Sequence, residues 1–66
     1  MKNKLRIERA IKEMTQEDLA NAVSVSRQTI NAMEANKYVP STVLSIKIAR
    51  VFNKTVEEIF ILESDD

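Results

Sequence analysis

The sequence predicts an all-α fold, and three observations carry that prediction. No stretch alternates apolar and polar residues with the period of a half-buried strand, the chain has no glycine for tight hairpin turns, and apolar residues recur three and four apart behind Thr or Ser. At 66 residues there is room for one core and no second, effector-binding domain. Residues 1–62 are therefore expected to form one domain, followed by a short acidic tail at 63–66 that frays.

The first helix is expected from about Lys4 to Glu13, with Ile7, Ala10, Ile11 and Met14 on its buried face. Thr15 is a stop and a restart. Its hydroxyl is placed to accept from the Asp18 backbone N–H, and Glu17 and Asp18 suit the positive end of a second helix burying Leu19, Ala20 and Val23. Ser24-Val25-Ser26 then turns the chain, and Ser26 caps a third helix whose buried positions are Ile30 and Met33. That helix ends near Ala35, with Asn36 as the left-handed residue beyond it. Pro40 delays the next helix until Ser41 caps it. Leu44, Ile48, Val51 and Phe52 mark its buried face, and Asn53 ends it as Asn36 ended the third. Thr55-x-x-Glu58 is a capping box that opens a fifth helix, filled inward by Val56, Ile59 and Phe60.

Composition removes several classes of chemistry. With no cysteine and no histidine there are no disulfides, thiolate nucleophiles, imidazole bases or zinc sites of the usual kind, so neither metal nor cofactor is expected. Met1 to Lys12 alternates charged with apolar residues, unlike a secretory signal or a membrane span, and a cytoplasmic protein is expected. Ten basic and ten acidic residues cancel, but unevenly. Residues 1–12 hold Lys2, Lys4, Arg6, Arg9 and Lys12 against Glu8, whereas residues 57–66 hold five carboxylates and no base. A neutral total leaves little bulk attraction for a polyanion, so useful affinity for one must come from well-placed contacts.

Two helices joined by a three-residue turn, with Leu19, Ala20, Val23, Val25, Ile30 and Met33 spaced to cross them, have the form of a helix-turn-helix. Ala20 suits a close crossing, where a longer side chain would push the second helix off its docking angle. Arg27, Gln28 and Asn31 occupy the exposed start of the third helix. Arginine pairs with guanine, and glutamine or asparagine with adenine, through two hydrogen bonds to a base edge in the major groove.

Residues 5–60 resemble the small Cro/C1-type (XRE-family) helix-turn-helix transcriptional regulators. The resemblance is most specific in V-S-R-Q-T-I-N from Val25 to Asn31, and it continues through Glu34, Asn36-Lys37-Tyr38 and Pro40-Ser41. I-A-R-V-F from Ile48 to Phe52 and E-E-I-F from Glu57 to Phe60 complete it. It implies a compact five-helix lambda-repressor-like DNA-binding domain, with the helix-turn-helix formed by helices 2 and 3. It also implies sequence-specific binding of double-stranded DNA, with base contacts from Arg27, Gln28 and Asn31. Phosphate contacts map to Gln16, Ser26, Asn36, Lys37 and Tyr38, with Gln16 also bracing Gln28. Arg9 and Glu34 match a structural ion pair of the family. The basic N-terminal run reads first as a solvated helix face, and Arg6 is its best candidate for a residue that grazes DNA. This chain departs from the pattern where Ser24 and Asn36 stand at frequent glycine positions and Thr42 at an apolar one.

Val43 and Ile46 lie off the buried face of the fourth helix, and Ile61 and Leu62 follow the fifth. A domain this small is expected to leave them exposed, for an isologous homodimer interface. Such a dimer would bind a palindromic operator with half-sites roughly 34 Å apart, most simply as a repressor. A different class, an antitoxin or adaptor whose partner is a protein, would carry a long wrapping segment, and only Glu63 to Asp66 follow the domain. An enzyme has no support: no nucleophile has a base beside it, no phosphate loop is present, and Glu57-Glu58 is explained by capping.

Overall fold

Hydroxyl caps and apolar periodicity divide the chain into five helices. The computed structural model describes all 66 residues. Its elements are β1 (Lys2–Asn3), α1 (Leu5–Ile11), α2 (Gln16–Val23), α3 (Arg27–Glu34), α4 (Thr42–Phe52), α5 (Val56–Ile59) and β2 (Phe60–Ile61). The last four helices each open on a hydroxyl that accepts a backbone N–H three residues on. Thr15 accepts from Asp18 at 3.0 Å, Ser26 from Thr29 at 3.2 Å, Ser41 from Leu44 at 3.1 Å and Thr55 from Glu58 at 3.3 Å. The Asp18 and Glu58 carboxylates return the bond to the cap N–H, at 2.9 and 3.0 Å, which closes two capping boxes. Accepting those backbone bonds holds both carboxyls below their ordinary values.

The helix exits reveal how a chain without glycine manages tight turns. Glu13, Ser24, Asn36 and Asn53 adopt the left-handed conformation, with φ of 54°, 62°, 60° and 54°. Beyond each, the following amide reaches back to close the turn: Met14 to the Arg9 carbonyl, Val25 to Ala20, Lys37 to Ala32 and Lys54 to Ala49, all at 2.9 to 3.0 Å. Asparagine tolerates this region, but a Cβ costs a serine or glutamate about 1 kcal/mol there. Ser24→Gly is accordingly expected to raise the melting temperature by about 5 °C in thermal denaturation. Ser24→Ala, which keeps the Cβ, should bring no such gain.

The core consists of Leu5, Leu19, Ala20, Val23, Ile30, Met33, Leu44, Ile48, Ala49, Phe52, Ile59 and Phe60. Helices α2 to α5 turn inward the faces that their periodicity indicates, with Val51 and Val56 half-buried at the rim. The first helix does not. Ile7 and Ile11 are 59% and 68% exposed, Ala10 is exposed too, and Met14 is half-buried, so the expected inner face of α1 is wrong. Leu5 and Glu8 are its buried residues. The reason is electrostatic: the inner side of α1 is where Glu8 meets Lys54, Nζ to Oε2 at 2.8 Å, and where Arg9 meets Glu34. A periodicity that counts only apolar residues selects the other side.

A second difference is a small antiparallel ladder between β1 and β2, pairing Lys2 with Ile61 and Asn3 with Phe60. The Lys4 amide extends it to the Ile59 carbonyl at 2.9 Å. Two-residue strands are too short for any alternation to register. Their pairing follows from the meeting of distant segments, and the fold remains essentially all-α. Residues 63–66 do not splay away as expected: the Met1 amino group lies 2.9 Å from Asp66 Oδ1 and 3.3 Å from Glu63 Oε1. No helix is long and apolar enough to cross a membrane.

Candidate nucleic-acid interface

Helix α3 is seated on α2 more extensively than any other pair of elements, through buried Ile30 and Met33 on one side and Leu19, Ala20 and Val23 on the other. Ala20 is 1% exposed, so a longer side chain there would not fit without displacing its neighbours, as a close helix crossing requires. Ser24 reverses the chain, and Ser26 starts α3 at once. Arg27, Gln28 and Asn31 consequently stand exposed on the outer face of the first turns of α3. The ion pairs of the molecule, which join Met1 to Glu63 and Asp66, Arg6 and Arg9 to Glu34, and Lys54 to Glu8, leave the Arg27 and Lys37 charges unspent.

Behind that face lies a charged hub. The Glu34 side chain, only 2% exposed, accepts from Arg9 Nε on Oε2 at 2.6 Å and from Arg9 Nη2 on Oε1 at 2.9 Å. The remaining fork of Arg9 donates to the Met14 carbonyl at 2.9 Å, which pins the α1–α2 turn to the end of α3. Gln16 Nε2 donates to Glu34 Oε1 at 3.1 Å, and Asn31 Nδ2 donates to Gln16 Oε1 at 3.4 Å. Gln16 therefore braces Asn31 from Glu34, and not Gln28 as the resemblance implied. Arg6, largely solvated, lies 3.6 Å from Glu34. Burial pushes the Glu34 carboxyl up, but the Arg9 and Gln16 hydrogen bonds and the charges of Arg9 and Arg6 outweigh it, leaving the group below its ordinary value. The same bond raises Arg9.

The other residues assigned to the DNA backbone surround this face unequally. Ser26 is occupied as the cap of α3, its Oγ also 3.0 Å from Thr29 Oγ1. Asn36 has its Oδ1 held by Asn3 Nδ2 at 3.3 Å, whereas Lys37 and Tyr38 are exposed in the loop after α3. The apolar residues assigned to a dimer are all exposed: Val43 64%, Ile46 42%, Ile61 38% and Leu62 77%. Ile46 lines an open apolar groove with Met1, Val39, Pro40, Val56 and Phe60.

A helix-turn-helix family model matches residues 5–59, all but the two ends of the chain. The chain belongs to the helix-turn-helix family. Within it, the Cro/C1-type (XRE) branch is the one it joins, and the family's function is DNA binding in transcription regulation, without catalysis. This helix-turn-helix protein is 54% identical to an HTH-type transcriptional regulator of Methanocaldococcus jannaschii over 66 residues, the full length of both. It is 47% identical to an HTH-type transcriptional regulator of Archaeoglobus fulgidus over all of this chain and 93% of that one. The HTH-type regulator YgzD of Bacillus subtilis is 42% identical over the full length of both chains.

Two supports of this helix-turn-helix escaped the sequence reading. Asn3 Nδ2 donates to the Met33 carbonyl at 2.7 Å, so β1 caps the C-terminal end of α3. Lys54, just past α4, holds Glu8 of α1. Neither has a local signature, because each partner lies at least thirty residues away in the chain.

Proposed function

We propose that this helix-turn-helix protein is a cytoplasmic homodimeric repressor that reads a palindromic operator by inserting α3 into the major groove. One observation carries the reading: α3 is docked by its Ile30–Met33 face while Arg27, Gln28 and Asn31 stand exposed on its first turns. Their donors and acceptors match the base edges of that groove. Gln16, Ser26, Asn36, Lys37 and Tyr38 flank them as phosphate contacts that position the helix without reading sequence. Metal and cofactor have no part in the reading. Val43, Ile46, Ile61 and Leu62, with the groove beside Ile46, form the proposed dimer face. A neutral chain gains little from bulk attraction, so two copies reading two half-sites supply what one cannot. Repression follows from occupancy, since a bound dimer of this size excludes polymerase from the duplex it covers.

Selection of bound sites from random duplexes tests the whole reading. A two-fold symmetric site with half-sites about one helical turn apart is expected. Recovery of a protein partner and no preferred DNA would overturn it. Arg27→Ala is expected to lose about 1 to 3 kcal/mol on the selected operator and to relax preference at one base pair per half-site, measured by titration against operator variants. Equal binding by parent and variant across those variants would remove Arg27 from base reading.

A further inference from the structure

We infer that Glu34, acting through Gln16, fixes which way round the Asn31 amide faces and thereby makes Asn31 a reader of adenine in preference to guanine. The inference rests on the proposed insertion of α3 into the major groove.

An amide side chain is nearly symmetric in shape but not in chemistry, because one end accepts and the other donates. Left free, an asparagine turns over and meets adenine or guanine with whichever end suits. Adenine shows the major groove an N7 acceptor and an N6 donor, whereas guanine shows two acceptors, N7 and O6. Discrimination between them therefore depends on whether the amide is free to turn.

Here it is not, and the constraint begins in the core. The Glu34 carboxylate is an acceptor at both oxygens, anchored by Arg9 at 2.6 and 2.9 Å with its side chain 2% exposed. Against that oxygen Gln16 must present Nε2, which it does at 3.1 Å. Its Oε1 then faces α3 as an acceptor, so Asn31 must present Nδ2, at 3.4 Å, the longest link of the relay. One Nδ2 hydrogen is thereby used. Oδ1 and the second Nδ2 hydrogen are left for the base, an acceptor beside a donor, which complements N6 and N7 of adenine. Guanine would set its O6 against Oδ1. Glu34 and Gln16 are thus positioning residues for a base contact made by neither.

The test uses the operator selected by the parent protein and its A·T-to-G·C replacement at the pair whose preference Asn31→Ala abolishes. The parent is expected to favour adenine there by about tenfold or more. Gln16→Met keeps the Arg9–Glu34 pair and removes the relay. It should cut that ratio to within about threefold, and any lost phosphate contact cancels because it weakens both duplexes alike. Glu34→Gln, whose amide offers either end to Gln16, should lower the ratio similarly. If it does not fold, Gln16→Met decides alone. In an Asn31→Ala background, Gln16→Met should leave the ratio unchanged. A ratio that survives Gln16→Met overturns the inference and leaves the hub merely structural. A guanine preference at the Asn31 pair overturns it while the groove reading stands. A parent that selects no sequence overturns the groove reading and the inference together.

Discussion

Arg9→Met is expected to lower folding stability by about 3 to 5 kcal/mol, the range for stranding one member of a buried ion pair. A domain of this size holds roughly 3 to 10 kcal/mol in all, so much of the population should unfold at ambient temperature. Glu34 would keep Gln16 at 3.1 Å and the solvated Arg6 at 3.6 Å, too little for a carboxylate only 2% exposed. The Met14 carbonyl would also lose its partner. Urea denaturation of Arg9→Met and of the double variant Arg9→Met, Glu34→Leu reads the effect. The double variant should recover most of the loss, because it strands no charge. A loss in Arg9→Met below about 1 kcal/mol would show that the pair behaves as a surface contact.

The same pair makes stability depend on pH. In the parent the Glu34 carboxyl titrates below its ordinary 4.5. A depressed carboxyl contributes stability that is present above the unfolded value and is lost as pH falls through the folded one. Asp18 and Glu58, depressed by their capping bonds, act in the same direction. Melting temperature should therefore hold steady from neutrality to about pH 5 and fall below it. In Arg9→Met the burial that pushes Glu34 up is opposed only by the Gln16 bond and the solvated Arg6. That variant should gain relative to the parent as the pH drops, which a series of melts would display.

Ile46→Asp is expected to weaken operator binding by about 10²- to 10⁴-fold, the advantage that linking two modules gives over one. Ile46 is 42% exposed, so a carboxylate there is hydrated in the monomer and costs the fold little. In the proposed dimer the same carboxylate would be buried beside Val39, Pro40 and Phe60 without a partner. Sedimentation equilibrium should show the parent as a dimer, and the variant as a monomer, at about tens of micromolar. Circular dichroism should remain that of the parent, which separates loss of pairing from loss of fold. A parent that sediments as a monomer would refute the dimer outright.

The helix-turn-helix was legible in the chain because its determinants are short-ranged. Thr15, Ser26, Ser41 and Thr55 act on amides three residues away, and Ser24, Asn36 and Asn53 act on the turns they occupy. Such interactions read the same in a sequence as in a fold. The left-handed Glu13 was not legible, since glutamate carries no preference for that conformation and the Arg9–Met14 bond favours it only once α1 is in place.

What the sequence by itself determined is the order of the helices, the inner faces of α2 to α5, and the placing of Arg27, Gln28 and Asn31 on the exposed start of α3. Capping and periodicity, both local, suffice for all of these. Tertiary structure alone decided which side of α1 turns inward, since Glu8 finds Lys54 forty-six residues away and Arg9 finds Glu34 twenty-five away. It also decided the β1–β2 ladder and the partners of Gln16. A charge has no preferred face until its counter-ion arrives, and an amide has no preferred direction until an obligate acceptor is set against it.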